Sequence, residues 1–147
     1  MEKNAEAYLE IRKIWEDDHT IELNISASNG IFSGETQLYT TEESLTEWAE
    51  QLAGFPKSDD QEVTFYDGER ESYSYSSIRA YTFSGMAKTA MHITLESNVS
   101  NEYRKEEKAK LEFELFFEPA ALDRFIPNLQ RISDGSGSIA IMKGIKP

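Results

Sequence analysis

Apolar and polar residues alternate along much of this chain with the period of two that half-buried β-strands show. The alternation is most regular over residues 21–27, where the odd positions are apolar and the even positions are polar. A looser alternation over residues 8–15 places three apolar side chains on one face, Leu9, Ile11 and Trp15. Both segments therefore predict strands with one buried face and one face in water.

The regular strand ends at Asn29-Gly30, a pair that tolerates the positive φ angles of a type I′ hairpin turn. We therefore predict a return strand over residues 31–39. Gly34 lies inside this strand and predicts a β-bulge. A bulge would explain why three large side chains do not share one face, Phe32, Leu38 and Tyr39.

Alternation with period two returns in the second half of the chain. Turn residues at Asp67-Gly68 and Ser84-Gly85 divide this region into segments of strand length. The alternation predicts strands over residues 62–66, 72–83, 91–95 and 111–117. A short edge strand is predicted near the end of the sequence, where three isoleucines recur, Ile139, Ile141 and Ile145.

Residues 41–52 have helical rather than strand periodicity. Thr40-Thr41 followed by Glu42-Glu43 predicts a capping box at the helix start, and Gly54 is suited to end the helix. Between them, apolar residues recur at spacings of three and four: Leu45, Trp48, Ala49 and Leu52. This spacing predicts an amphipathic helix with one buried stripe.

A second helix is predicted to begin at Glu118-Pro119, because proline is favoured at the first helical position. Pro127 should end this helix early or kink it, since proline has no amide proton to donate. Residues 133–138 then predict a flexible connector. The apolar stripe of the helix consists of Leu122, Phe125, Ile126 and Leu129.

These elements predict a single α+β domain over residues 1–147, with a flexible C-terminal segment at 133–147. The predicted architecture is an antiparallel meander of about six to seven strands, with both amphipathic helices on one face of the sheet. The other face should remain polar, and the residues assigned to it are Glu22, Asn24, His92, Glu96, Glu112 and Glu114.

Composition narrows the classes of function. The chain has 27 acidic and 15 basic residues, a net charge of −12, which disfavours nucleic acid and anionic membranes and favours a basic protein partner. It has no cysteine, so disulfides and thiolate metal sites are excluded. The polar first residues and the lack of an apolar run of about 20 residues lead us to expect a cytoplasmic protein.

Catalytic motifs are not evident. His19 follows three acidic residues that could hold a hard cation, although the group fits an ordinary solvated turn better. His92 fits a surface cross-strand pair with a glutamate better than a catalytic base. No zinc, phosphate-binding or nucleophile-elbow motif is present, so we expect no cofactor, no metal and no enzymatic activity.

A tyrosine-rich strand and the nearby glutamates supply the candidate binding residues. Tyrosine and arginine are enriched at protein–protein hot spots, so this strand is either an interface or an aromatic layer packed beneath a helix. The glutamates would lie on a wet sheet face. The candidate partner-binding set is Tyr73, Tyr75, Arg79, Tyr81, Glu96, Glu112 and Glu114.

The opening hairpin, the helix carrying Leu45, Trp48 and Leu52, and the strand and helix over 111–129 resemble small acidic bacterial domains of unassigned function, among them immunity-type proteins. The resemblance implies a protein that neutralises a toxin by binding it. Two other hypotheses stay open. One is a ligand-binding or enzymatic domain with a pocket on the sheet, and the other is a structural homodimer.

Overall fold

The computed structural model describes residues 6–68, 74–85, 88–98, 106 and 108–147. Within these residues the chain forms strands and helices in a simple order. They are β1 (Ala7–Glu16), β2 (Ile21–Asn29), β3 (Ser33–Thr40), α1 (Glu42–Leu52), β4 (Val63–Gly68), β5 (Ser74–Phe83), β6 (Lys88–Asn98), β7 (Lys108–Phe117), α2 (Leu122–Asp134) and β8 (Ile139–Lys143). A single 3₁₀ turn, Pro119–Ala121, leads into α2.

The strands form two antiparallel sheets of four strands each, so the α+β class is confirmed and the single meander is wrong. The first sheet has the order β3-β2-β1-β8, and the second has the order β4-β5-β6-β7. The edge strand predicted near the end of the sequence is β8, which pairs with β1. The first three strands belong to the first sheet, the segment that carries α1 leads to the second sheet with its four consecutive strands, and β8 returns to the first sheet.

One apolar core fills the space between the two sheets and the helices. Each sheet contributes one face to it, as period-two alternation requires. The first sheet contributes Leu9, Ile11, Leu23, Ile25, Leu38 and Met142, and the second contributes Val63, Phe65, Ile78, Met91, Ile93, Leu115 and Phe117. The molecule consequently has two outward sheet faces rather than the single polar face that the meander predicted.

Helix α1 forms as its sequence predicts, with one difference at the cap. The Thr41 side chain accepts a hydrogen bond from the Ser44 amide at 3.1 Å, so Thr41 is the N-cap and the glutamate of the predicted capping box is replaced by Ser44. The buried residues are those of the predicted stripe, Leu45, Trp48, Ala49 and Leu52. These residues pack against the core beside β4, where Trp48 stacks on Phe65.

Helix α2 continues through Pro127 to Asp134, so the expected early end is wrong. Proline at this position removes a hydrogen bond to the carbonyl of Asp123, and both residues are exposed. Water can therefore hydrate that carbonyl. Ser133 belongs to the helix rather than to the connector, and its hydroxyl donates to the Glu42 carbonyl at 2.9 Å, which ties α2 to the start of α1.

The first sheet corrects two local predictions. The pairing of β1 with β2 shifts between Lys13 and Trp15, so Trp15 is 49% exposed instead of lying beside Leu9. A shift of one residue moves a side chain to the opposite face of a strand. Gly34 pairs in regular register with Ala27, so the bulge lies in β1 and not at Gly34.

The two predicted hairpin turns differ in outcome. Asn29 does lead into a tight turn, in which its side chain accepts the amides of Ile31 and Phe32 at 2.9 and 2.8 Å. Only Gly30 has a positive φ there, so the turn is not of type I′. Asp67-Gly68 is not a turn, because both residues continue β4 and pair with β5.

Besides the packing of the core, two hydrogen bonds among the described residues link the two sheets. The Thr36 hydroxyl donates to the Glu96 carbonyl at 2.9 Å, which links β3 to β6 through the core. Beyond β8, the Ile145 amide donates to the Phe116 carbonyl at 2.8 Å, which links the end of the first sheet to β7. Gly144 lies between these strands, with its amide bonded to the Ala7 carbonyl at 2.9 Å.

Ser76 on β5 provides a test of the core. Its Oγ is buried with no hydrogen-bond partner among the described residues. An unsatisfied buried hydroxyl costs about 1–3 kcal/mol, so Ser76→Ala should raise the free energy of unfolding by about 1 kcal/mol. Chemical denaturation measures the change, and Ser77→Ala on the half-buried outer side is the matched control. A loss of stability in Ser76→Ala would show that the hydroxyl is satisfied.

Candidate functional site

The outer face of the second sheet brings the candidate binding residues together. Tyr75, Arg79 and Tyr81 extend along β5, while Ser76, Ile78 and Ala80 point into the core. The tyrosines are therefore not an aromatic layer beneath a helix, and that alternative is wrong. Tyr73, the remaining tyrosine of the candidate set, lies outside the described residues.

The strand register sets which candidates are neighbours. Tyr75 pairs with Glu96, which pairs with Lys110 on β7, and Arg79 pairs with His92, which pairs with Glu114. Such cross-strand neighbours are close enough for their side chains to interact. The resulting rows across β5, β6 and β7 form the surface that we call the outer face of the second sheet.

Arg79 lies at the β5 end of one row and contacts two neighbouring side chains. Its guanidinium lies 3.3 Å from a carboxylate oxygen of Glu62 and 4.5 Å from the centre of the Tyr81 ring. The Arg79 side chain is 39% exposed, so each contact is worth only a fraction of what it would be in a dry site. These contacts fix the orientation of the arginine more than they stabilise the fold.

Tyr81 donates a hydrogen bond from its hydroxyl to the Glu114 carboxylate. Partial burial of the phenol raises the Tyr81 pKa above its ordinary value, and the hydrogen bond to Glu114 raises this pKa further. Tyr81 therefore stays protonated, as a donor, throughout the physiological pH range. A fixed donor of this kind holds the Glu114 carboxylate in one orientation.

His92 and Lys110 both contact Glu112. The His92 Nε2 is 3.0 Å from one carboxylate oxygen, and the Lys110 Nζ is 3.4 Å from the other. This arrangement confirms the predicted cross-strand pair of His92 with a glutamate. The side chains of His92 and Glu112 are 34% and 43% exposed, so the pair is in contact with solvent.

Glu96 differs from the other candidates in being only 4% exposed. Its neighbour across the row, Tyr75, is half-buried. Glu96 belongs to the outer face by register, yet it is buried. The described candidates that are at least partly exposed are therefore Tyr75, Arg79, Tyr81, Glu112 and Glu114.

The turn before β2 holds the residues considered for a cation. The Asp17 carboxylate accepts the backbone amides of His19 and Thr20 at 2.9 and 2.8 Å. The first of these bonds contributes most to lowering the Asp17 pKa. This is the hydrogen bonding of an ordinary turn, and no group of three or more metal-ligating side chains occurs among the described residues.

A cavity at one end of the outer face was not predicted. It has a volume of about 430 Å³ and lies where Phe83 of β5, Phe116 of β7 and the segment after β8 meet. In the sequence pattern these residues look like ordinary apolar strand residues. The feature that points to a cavity is the concentration of aromatic residues near the ends of β5 and β7. The cavity lining includes neither Arg79 nor a tyrosine.

The chain matches no family model, no curated protein and no solved structure. Among the described residues, no helix is long and apolar enough to cross a membrane. The site must therefore be interpreted from its own geometry and charge.

Proposed function

We propose that this chain is a non-enzymatic binding protein that masks a basic partner protein, in the manner of an immunity-type inhibitor. The observation that supports this proposal is the grouping of Tyr81, Arg79, Glu112 and Glu114 on one half-exposed sheet face. Tyrosine, arginine and carboxylates held in fixed orientations are suited to recognising a protein surface.

The charges on this face favour a cationic partner. Arg79 is paired with Glu62, and Lys110 is paired with Glu112, so each of these two cations is already compensated by a neighbouring carboxylate. Glu114 adds a carboxylate held by Tyr81. Because the whole chain has a net charge of −12, its electrostatic field would attract basic proteins at long range and accelerate their association with this face.

The partly buried aromatic rings would supply affinity at short range. Tyr81 and Tyr75 are half-buried, so their rings have already lost much of their freedom before a partner arrives. A preordered side chain loses less conformational entropy on binding than a mobile one. The proposed division of roles is that carboxylates steer the partner and the tyrosines hold it.

Capture experiments with charge-reversed variants test the proposal. Wild-type protein, Glu112→Lys/Glu114→Lys and Glu47→Lys/Glu50→Lys would be immobilised and exposed at low salt to a lysate of the source organism. Glu47 and Glu50 are exposed on α1, so the control makes the same change in charge elsewhere. We expect a basic protein that binds wild type and control, is released by salt, and binds the sheet variant at least about tenfold more weakly.

The alternatives correspond to other outcomes of the same experiment. Equal capture by all three proteins, or no basic protein in any eluate, would contradict a partner site on this face. A second copy of the chain bound through the face, seen as a dimer in size-exclusion chromatography, would support the structural homodimer instead. Circular dichroism of each variant shows whether the fold is retained.

A further inference from the structure

The cavity at the end of the outer face has walls made by distant parts of the chain. Phe83 of β5 pairs with Lys88 of β6, and Phe116 of β7 pairs with Ala90 of β6, so the two phenylalanines approach each other diagonally across β6. The segment after β8 closes the third side, because the Ile145 amide is bonded to the Phe116 carbonyl at 2.8 Å. The cavity therefore exists only when both sheets are in place.

The walls favour a flat apolar group. The rings of Phe83 and Phe116 lie 5.9 Å apart with an angle of 47° between their planes, and Phe117 forms a buried part of the lining. Aromatic rings prefer offset or tilted arrangements at such distances, so a further ring could be accommodated against this pair. The volume of about 430 Å³ lies in the lower part of the usual range for ligand sites, about 300–1,000 Å³.

The charged residues of the lining have the opposite balance to the whole chain. The charged side chains that line the cavity are those of Lys88, Lys146 and Glu118. The whole chain, by contrast, has 27 acidic and 15 basic residues. Neither lysine forms an ion pair within the described part of the chain. The two lysine side chains and the one glutamate side chain of the lining sum to a single positive charge, which suits a carboxylate better than a phosphate dianion.

We infer that this cavity binds a small aromatic carboxylate, with its ring against Phe83 and Phe116 and its carboxylate between Lys88 and Lys146. The inference does not depend on a protein partner, because the cavity shares no lining residue with the charged rows of the face. It assigns the chain a small-molecule site in addition to the proposed partner surface.

Three probes of matched size test the inference by amide NMR titration of the full chain. They are 3-phenylpropionate, 3-phenylpropan-1-ol and 3-phenylpropylamine, which have the same ring and spacer and differ in charge. We expect 3-phenylpropionate to saturate with a Kd on the order of 1 mM, the range for a ligand of this size. The alcohol should bind about fivefold more weakly, and the amine more weakly still. The shifted amides should be those of residues 83, 88–89, 116–118 and 145–146.

Lysine variants separate the site from general attraction. Lys88→Gln/Lys146→Gln should weaken 3-phenylpropionate binding about tenfold or more, while Lys143→Gln, which removes a nearby charge outside the lining, should leave it unchanged. Equal binding of the three probes, shifts at other residues, or no effect of the double substitution would overturn the inference. Tighter binding of phenyl phosphate than of 3-phenylpropionate would overturn the choice of a carboxylate.

Discussion

Replacing Trp48 with alanine is expected to lower the free energy of unfolding by about 3–5 kcal/mol. Trp48 is 2% exposed and stacks on Phe65 with ring centres 4.4 Å apart. Its edge meets Phe125 at 5.6 Å, so one side chain holds α1, β4 and α2 together. Three elements that meet at one ring cannot all move inward to fill the space that alanine would leave. The loss in the free energy of unfolding should therefore lie at the upper end of the range observed for truncations of core side chains.

The second tryptophan supplies the control for this prediction. Trp15 is 49% exposed and contacts Tyr39 edge-on at the outer face of the first sheet. Trp15→Ala should change the free energy of unfolding by less than about 1 kcal/mol. Guanidinium denaturation followed by circular dichroism measures both variants without relying on tryptophan fluorescence. Equal losses would show that Trp48 does not organise the core.

Gly144→Ala is expected to destabilise the protein by about 1–3 kcal/mol through overpacking. A Cβ at this position would lie 2.6 Å from the Leu115 Cδ1 and 3.2 Å from the Ala7 Cβ. Leu115 is fully buried and Ala7 is 4% exposed, so neither has free space into which to move. The expected loss arises from separating the first sheet from β7 at the point where the chain links them.

Gly34→Ala is the matched control, because a Cβ there meets Leu111 at an ordinary contact distance of 3.7 Å. That substitution should be neutral or stabilising by about 0.4–1 kcal/mol, since alanine reduces the freedom of the unfolded chain. A double-mutant cycle of Gly144→Ala with Leu115→Val isolates the clash, because valine lacks the Cδ1 atom. If the double variant loses as much stability as the sum of the single changes, crowding at Leu115 is not the cause.

The burial of most strands follows from the sequence alone. In β2 and β6 the alternation of apolar residues assigns Leu23, Ile25, Met91 and Ile93 to the core, and the structure buries all of them. The same alternation failed at Trp15, since a register shift leaves no mark in a hydrophobic pattern. Periodicity therefore predicted faces reliably only where pairing is regular.

The division of the strands between two sheets could not be predicted from these patterns. An apolar face indicates that something covers it, and the pattern is the same whether a helix or another sheet provides the cover. Ile25 and Ile93 both lie in the core between sheets, although one helix-covered sheet would require the same residues. Long-range pairs such as that between Thr36 and Glu96 decide the arrangement, and no local signal specifies them.

The candidate surface was predictable in part. The shared parity of Tyr75, Arg79 and Tyr81 placed them on one face, and the structure shows that the predicted Glu112 and Glu114 lie on the same face of β7. The choice between the inner and outer face was not predictable, because tyrosine suits either environment. The cavity was also hidden, since Phe83, Phe116 and Ile145 meet only through tertiary structure.

The pairing of β1 with β8 has a consequence for how the protein is made. In that pairing Tyr8 lies opposite Lys143, so β1 is synthesised long before its second neighbour. At a translation rate of about 5–20 residues per second, the delay is on the order of ten seconds. During this time the β1 edge of the nascent chain is an open template for other unpaired strands. The first sheet is therefore completed only after β8 has been synthesised, and until then the β1 edge is a place where incorrect strand pairing can begin.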